Sequence, residues 1–231
     1  MFEASGKPAR RPLAILVHGM GRTPVSMALL AHRLRRQGFG TAIFGYAVTL
    51  EKFSSCLTRL QEFITARTDA GPYVLIGHSL GAVLLRCVAP RLAHLPAACF
   101  LLAPPAKACI WARRFASFAP YRIAMGEMGQ LLADESFMST VPIPPCPTWI
   151  YAGTAGPRHP LFALADEPND GILKISETQV PGIPLVRVPA LHTFFMNSRW
   201  VTRDLVDKTR AVLDPPAPGA LAPLATPVPG E

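Results

Sequence analysis

A chain of 231 residues, half of them apolar, can bury a full hydrophobic core, and its length suits a single domain. Lys and Arg number 23 against 15 for Asp and Glu, a net charge of +8 that favours weak contact with anionic membrane surfaces or acidic substrates, while the scattered basic residues, with no interleaved aromatics, exclude the pattern of a nucleic-acid binder. Five cysteines at irregular spacing argue against a disulfide framework or a zinc site; without an apolar secretory segment or a membrane-spanning stretch, the expectation is a reduced, cytoplasmic protein.

After an N-terminal arm of residues 1–12, Leu13 to Val17 is a short continuous apolar run ending at His18-Gly19, as in a strand covered on both faces. Thr23-Pro24 offers a capping hydroxyl followed by proline, and Met27, Leu30, Ala31 and Leu34 repeat at helical spacing. Thr41 to Tyr46 reads as the next strand. Phe53, Cys56, Leu57, Leu60 and Ile64 line one face of a helix running to about Arg67.

Tyr73 to Ile76 is a third apolar strand, Gly77 to Gly81 a sharp turn, and Ala82 to Val88 a helix that Pro90 kinks or stops. Ala98 to Leu102 is a fourth strand. Over residues 104–147 the regularity is lost, and short helices carrying Trp111, Phe115, Phe118 and Tyr121 suggest an inserted helical lid. Thr148 to Ala152 and Leu185 to Val188 resume the strand pattern, and Asn197 to Leu213 closes the fold as an amphipathic helix. Residues 214–231, rich in proline and without aromatics, are expected to be disordered. Alternating strands and helices predict an α/β fold over residues 13–213: a mostly parallel central sheet with helices on both faces.

Gly77-His78-Ser79-Leu80-Gly81 fits the GxSxG pattern between a strand and a helix, where small flanking residues permit a tight turn that exposes a strained serine. Ser79 is therefore the candidate nucleophile. At this point the sequence resembles the α/β-hydrolase family, and within it the lipase and esterase branch, in which GHSLG is a familiar elbow. His18-Gly19-Met20-Gly21 resembles that family's oxyanion loop, which implies that the Met20 and Leu80 amides hold a developing oxyanion. His18 itself reads as a structural hydrogen-bonder.

The chain order in this fold is serine, acid, histidine. Of six histidines, His159 and His192 lie beyond the fourth strand; His192 follows the strand Leu185 to Val188, whereas His159 sits in a proline-rich loop. Asp170, in Pro168-Asn169-Asp170-Gly171, resembles the acid-bearing turn of bacterial lipases, with Asp166 and Glu167 as near neighbours. Ala82 stands where many relatives have a second glycine. The resemblance implies a serine hydrolase cleaving small-molecule or lipid esters through Ser79, Asp170 and His192, with no metal or cofactor. An acyltransferase, thioesterase or amidase using the same residues, or a non-catalytic binding protein, are the competing readings.

Overall fold

The computed structural model describes residues 11–68 and 71–215. The N-terminal arm up to residue 10 and the proline-rich tail from residue 216 lie outside them. The elements are β1 (Leu13–Val17), α1 (Ala28–Arg36), β2 (Gly40–Phe44), α2 (Phe53–Thr68), β3 (Tyr73–His78), α3 (Leu80–Val88) and β4 (Ala98–Leu102). After them come α4 (Ile110–Phe115), α5 (Ala119–Leu131), α6 (Glu135–Thr140), β5 (Thr148–Gly153), α7 (Ile175–Thr178), β6 (Leu185–Val188) and α8 (Arg199–Leu213).

The six strands form one sheet in the order β2-β1-β3-β4-β5-β6, and every neighbouring pair is parallel. Strand side chains alternate between the two faces. Ile15, Val17, Leu75 and Leu101 pack toward α2 and α3, whereas Leu16, Ile76, Phe100 and Tyr151 pack toward α1 and α8. Burial on both sides explains why the inner strands β1, β3 and β4 are continuous apolar runs, whereas the edge strands β2 and β6 are only partly buried. Each fully buried Leu, Ile or Phe contributes about 1.5–3 kcal/mol, so the two layers are held chiefly by this apolar contact.

The sheet order also locates a site. From β1 the chain proceeds to β2 on one side and later returns to β3 on the other, so the carboxyl ends of β1 and β3 flank the point where strand order reverses. Ligands of open parallel sheets bind at such points. Val17 pairs with Gly77 in register, which brings His18-Gly19 beside the turn at Ser79.

Local departures from the expected elements have simple causes. Thr23 supplies no side-chain cap; its carbonyl oxygen accepts from the Ser26 amide and hydroxyl, and Pro24–Met27 forms a 3-10 turn before α1 begins. β3 extends to His78 and α3 starts at Leu80, leaving Ser79 alone as the junction. Pro90 stops α3, and Ala89–Arg91 is a 3-10 turn. The short α7 was not expected from sequence, having too few residues for a periodic signal.

Residues 104–147 hold α4, α5 and α6. Gly126, at φ 54° and ψ −152°, breaks α5 and lets it close on the loop after β2, where a Cβ would sit 3.0 Å from the Val48 oxygen. The Thr49 hydroxyl donates to the Ala124 oxygen at 2.6 Å. At the far end, buried Arg86 of α3 donates through Nε to Pro142 O at 2.9 Å and through Nη2 to Val141 O at 2.6 Å. No helix among the described residues is long and apolar enough to cross a membrane.

Candidate active site

Ser79 adopts φ 52° and ψ −120°, a region that a residue with a Cβ enters at a cost of about 1–3 kcal/mol. Its surroundings impose that conformation. The Ser79 amide donates to Leu102 O at 2.9 Å, and its carbonyl oxygen accepts from the Ala82 amide at 2.9 Å. A Cβ on Gly81 would lie 2.4 Å from Val17 O, and one on Gly77 would lie 2.7 Å from the Ala82 backbone. The close approach between strand and helix is therefore met by Gly77, which is why alanine is accommodated at position 82.

Asp170 and His192 come together from different loops at the same end of the sheet. His192 Nδ1 and Asp170 Oδ2 are 2.7 Å apart, and the His192 amide donates to the Asp170 carbonyl oxygen at 2.8 Å. Asp170 is 1 % exposed, and its Oδ1 accepts from the Ile172 and Leu173 amides at 2.9 and 2.6 Å. Both carboxylate oxygens are thus committed. Oδ1 holds the loop, and Oδ2 fixes the imidazole with Nδ1–H as donor, leaving Nε2 as the basic nitrogen.

The Ser79 hydroxyl and the His192 ring are not directly hydrogen bonded. The two segments are joined instead through His78, whose Nε2–H donates to the His192 carbonyl oxygen at 2.8 Å. The two rings lie 5.0 Å apart, which sets the His192 ring alongside the serine turn. Burial above all, with the neighbouring His192 second, pushes the His78 pKa down to about 3. The neutral ring that burial favours carries its one proton on Nε2, the nitrogen that faces the His192 carbonyl oxygen.

Met20, half-buried, directly follows Gly19, whose hypothetical Cβ would be 3.0 Å from Ser79 Cβ. Its amide finds no acceptor among the described residues. Leu80 is the first residue of α3, so its amide has no acceptor within the helix. Both sit beside the Ser79 turn. His18 is buried and stacks on Tyr46 with ring centroids 4.3 Å apart. Its Nδ1–H donates to Gly19 O at 3.0 Å and burial lowers its pKa, so it braces the loop as a neutral ring.

The other candidates stand apart. His159 is exposed. Asp166 forms an exposed ion pair with Lys174 at 2.6 Å, and Glu167 Oε1 accepts from the Ser176 amide at 2.8 Å.

Asn169 was not singled out as a functional residue in the sequence, although it belongs to the Asn-Asp-Gly turn. It is fully buried, its Nδ2 donates to Leu164 O at 2.9 Å and lies within reach of Pro157 O and Glu167 O, and its Oδ1 accepts from the Gly171 amide. It shapes the loop that presents Asp170. Among the described residues no group of three or more His, Cys, Asp or Glu side chains is placed to hold a metal ion.

A parallel sheet of this order, with a strained serine turn at its switch point, defines an α/β hydrolase architecture. The model of the alpha/beta hydrolase family matches residues 14–229, and the chain belongs to that family. Its fold is similar to that of the Bacillus licheniformis lipase BlEst2 in mature form, at 15% identity and a TM-score of 0.66 over 87% of this chain and 93% of that one. It is also similar to the metagenomic carboxyl esterase MGS0156, at 17% identity and a TM-score of 0.60 over 90% and 79% of the two chains. The pyrethroid hydrolase PytH aligns at 13% identity and a TM-score of 0.58 over 89% of this chain and 100% of its own. At these identities the likeness is one of fold. No curated protein matched the sequence.

Proposed function

We propose that this hydrolase cleaves carboxylic esters through Ser79, His192 and Asp170. The observation that carries the reading is the 2.7 Å contact between His192 Nδ1 and Asp170 Oδ2, made at the strand ends where Ser79 is held at positive φ. His192 Nε2 takes the Ser79 hydroxyl proton as Oγ attacks the ester carbonyl, forming a C–O bond and a tetrahedral oxyanion. The amides of Met20 and Leu80 are the donors for that oxyanion, and losing one such donor typically costs about 10²- to 10³-fold in rate. The imidazolium returns its proton to the leaving alcohol as the ester C–O bond breaks. Water, deprotonated by the same nitrogen, then releases the acid and frees Ser79.

An apolar acyl group is favoured by the side chains on the acid and base loops. Ile172 is two residues beyond Asp170, Leu191 and Phe194 flank His192, and all three are exposed. Labelling with a fluorophosphonate followed by peptide mass analysis tests the nucleophile, and p-nitrophenyl esters of increasing chain length test the substrate. Modification of Ser79 and hydrolysis rising from the acetyl to longer acyl chains are expected, both abolished in Ser79→Ala. A folded protein that is neither labelled nor active would identify a binding protein on a hydrolase scaffold.

A further inference from the structure

We propose that the groove between α1 and α8, which no residue of the serine turn lines, binds a compact, multiply phosphorylated anion. The groove has a volume of about 730 Å³ and is lined by Arg33 and Arg36 from α1 and Arg199, Arg203 and Arg210 from α8. Asp207 is the one carboxylate among its lining residues. Two of the arginines fasten the walls: Arg33 Nη1 donates to Asn197 O at 2.6 Å, and Arg210 Nη2 donates to Gln37 O at 3.3 Å. Arg36, Arg199 and Arg203 are exposed and donate to no protein acceptor among the described residues, and Asp207 forms no ion pair there.

Five guanidinium groups facing one carboxylate repel one another, and ordinary surface charge is more evenly mixed in sign. The helices hold them in place regardless, because Leu30 and Leu34 of α1 and Leu205 and Val206 of α8 belong to one buried apolar layer. The groove is thus preorganised, which reduces the ordering cost of binding. Arg199 occupies the first turn of α8, where the helix dipole disfavours a cation by about 0.3–1 kcal/mol and would favour an anion.

Shape and chemistry narrow the ligand. The guanidinium fork matches phosphate oxygens two at a time. The volume falls within the range of about 300–1,000 Å³ usual for small-molecule sites. The lining includes no Phe, Tyr or Trp, and the His32 imidazole is its one ring, so the site lacks the run of aromatic platforms on which successive nucleic-acid bases stack. Several phosphates on a small body therefore suit the groove. They can come from a soluble polyphosphate compound or from a phosphate-rich lipid headgroup.

Isothermal titration of the full chain with sodium tripolyphosphate tests the site. Saturable one-site binding is expected, with orthophosphate at least about tenfold weaker and affinity falling as salt rises. Arg36→Ser with Arg203→Ser should weaken binding by about tenfold or more, while Arg114→Ser with Arg122→Ser, removing equal charge from exposed positions on α4 and α5, should leave it unchanged. Thermal melts establish that both double variants fold. Sedimentation with phosphatidylcholine vesicles containing phosphatidate separates the sources: binding that tripolyphosphate displaces and the groove variant loses identifies a lipid headgroup, and no sedimentation identifies a soluble ligand. Absence of a tripolyphosphate isotherm, or equal weakening in both double variants, overturns the proposal. Ester hydrolysis is not an element of this test, so failure of the groove and failure of the proposed reaction are separable.

Discussion

The Nε2 of His78 lies 2.8 Å from the carbonyl oxygen of His192, so the residue preceding the serine is bonded to the residue proposed to deprotonate it. The serine turn and the histidine loop are more than a hundred residues apart in sequence, and one buried, neutral imidazole spans them. Its Nδ1 has no partner among the described residues. Protonation of that nitrogen would place a charge where no carboxylate faces it, beside His192 itself.

The first prediction follows from that burial. Unfolded His78 binds a proton below about pH 6.5, whereas the folded ring resists protonation down to about 3. Between those values the unfolded state holds more protons, so this residue makes stability fall as pH falls, by up to about 1.4 kcal/mol per pH unit. The contribution is constant above pH 6.5. Urea unfolding across this range should show a flatter profile for His78→Gln, which retains a donor but does not titrate. His18, shifted in the same direction, is present in both proteins and cancels in the comparison. Identical profiles would refute the assignment.

Ser79 is held at φ 52°, which glycine adopts freely and alanine does not. Ser79→Gly and Ser79→Ala should both lose ester hydrolysis, yet differ in stability. The glycine variant should be the more stable by about 1 kcal/mol, seen as a melting temperature about 2–4 °C higher in a domain of this size. Equal melting temperatures would mean that the turn stores no strain.

Asp170→Asn is expected to reduce kcat by about 10⁴-fold with little loss of fold, the magnitude known for a triad in which the acid becomes an amide. The geometry gives the reason. Oδ1 already accepts from the Ile172 and Leu173 amides, so the asparagine oxygen is held there and its NH₂ faces His192. Nδ1 must then accept, which shifts the imidazole proton to Nε2 and removes the base. Asp166→Asn, at an exposed pair with Lys174, should leave kcat unchanged in the same assay.

The sheet was legible because its four inner strands are buried on both faces, and apolar runs such as Leu13–Val17 and Ala98–Leu102 admit few other readings. Ser79 was legible because the turn demands small residues at fixed spacing. What the sequence could not display were contacts set only by tertiary approach. His78 reads as the variable position of GxSxG until its partner across the fold is known, and Arg86 reads as a surface charge until the Val141 and Pro142 carbonyls are brought to it. The groove arginines belong to two helices far apart in the chain, so helical periodicity alone gives each set only a solvated face.

The glycines of the acid loop were equally silent, and they support the last prediction. Gly153 ends β5 where the Asp170 and His192 loops converge; a Cβ there would lie 2.5 Å from Asp170 Cβ and 2.4 Å from Ala190 O. Neither obstacle is the far end of a flexible side chain, so Gly153→Ala must displace the acid relative to the base. It should cost about 1–3 kcal/mol of stability through overpacking and lower kcat sharply. Gly182 provides the contrast, at φ 78° with nothing within 4 Å of a Cβ. Gly182→Ala suffers backbone strain alone, about 1–2 kcal/mol, and should retain full kcat once folded. Urea unfolding and ester hydrolysis measured on both variants separate the two effects: loss of activity in Gly153→Ala but not in Gly182→Ala, at comparable loss of stability, assigns the close approach at Gly153 to the placement of Asp170.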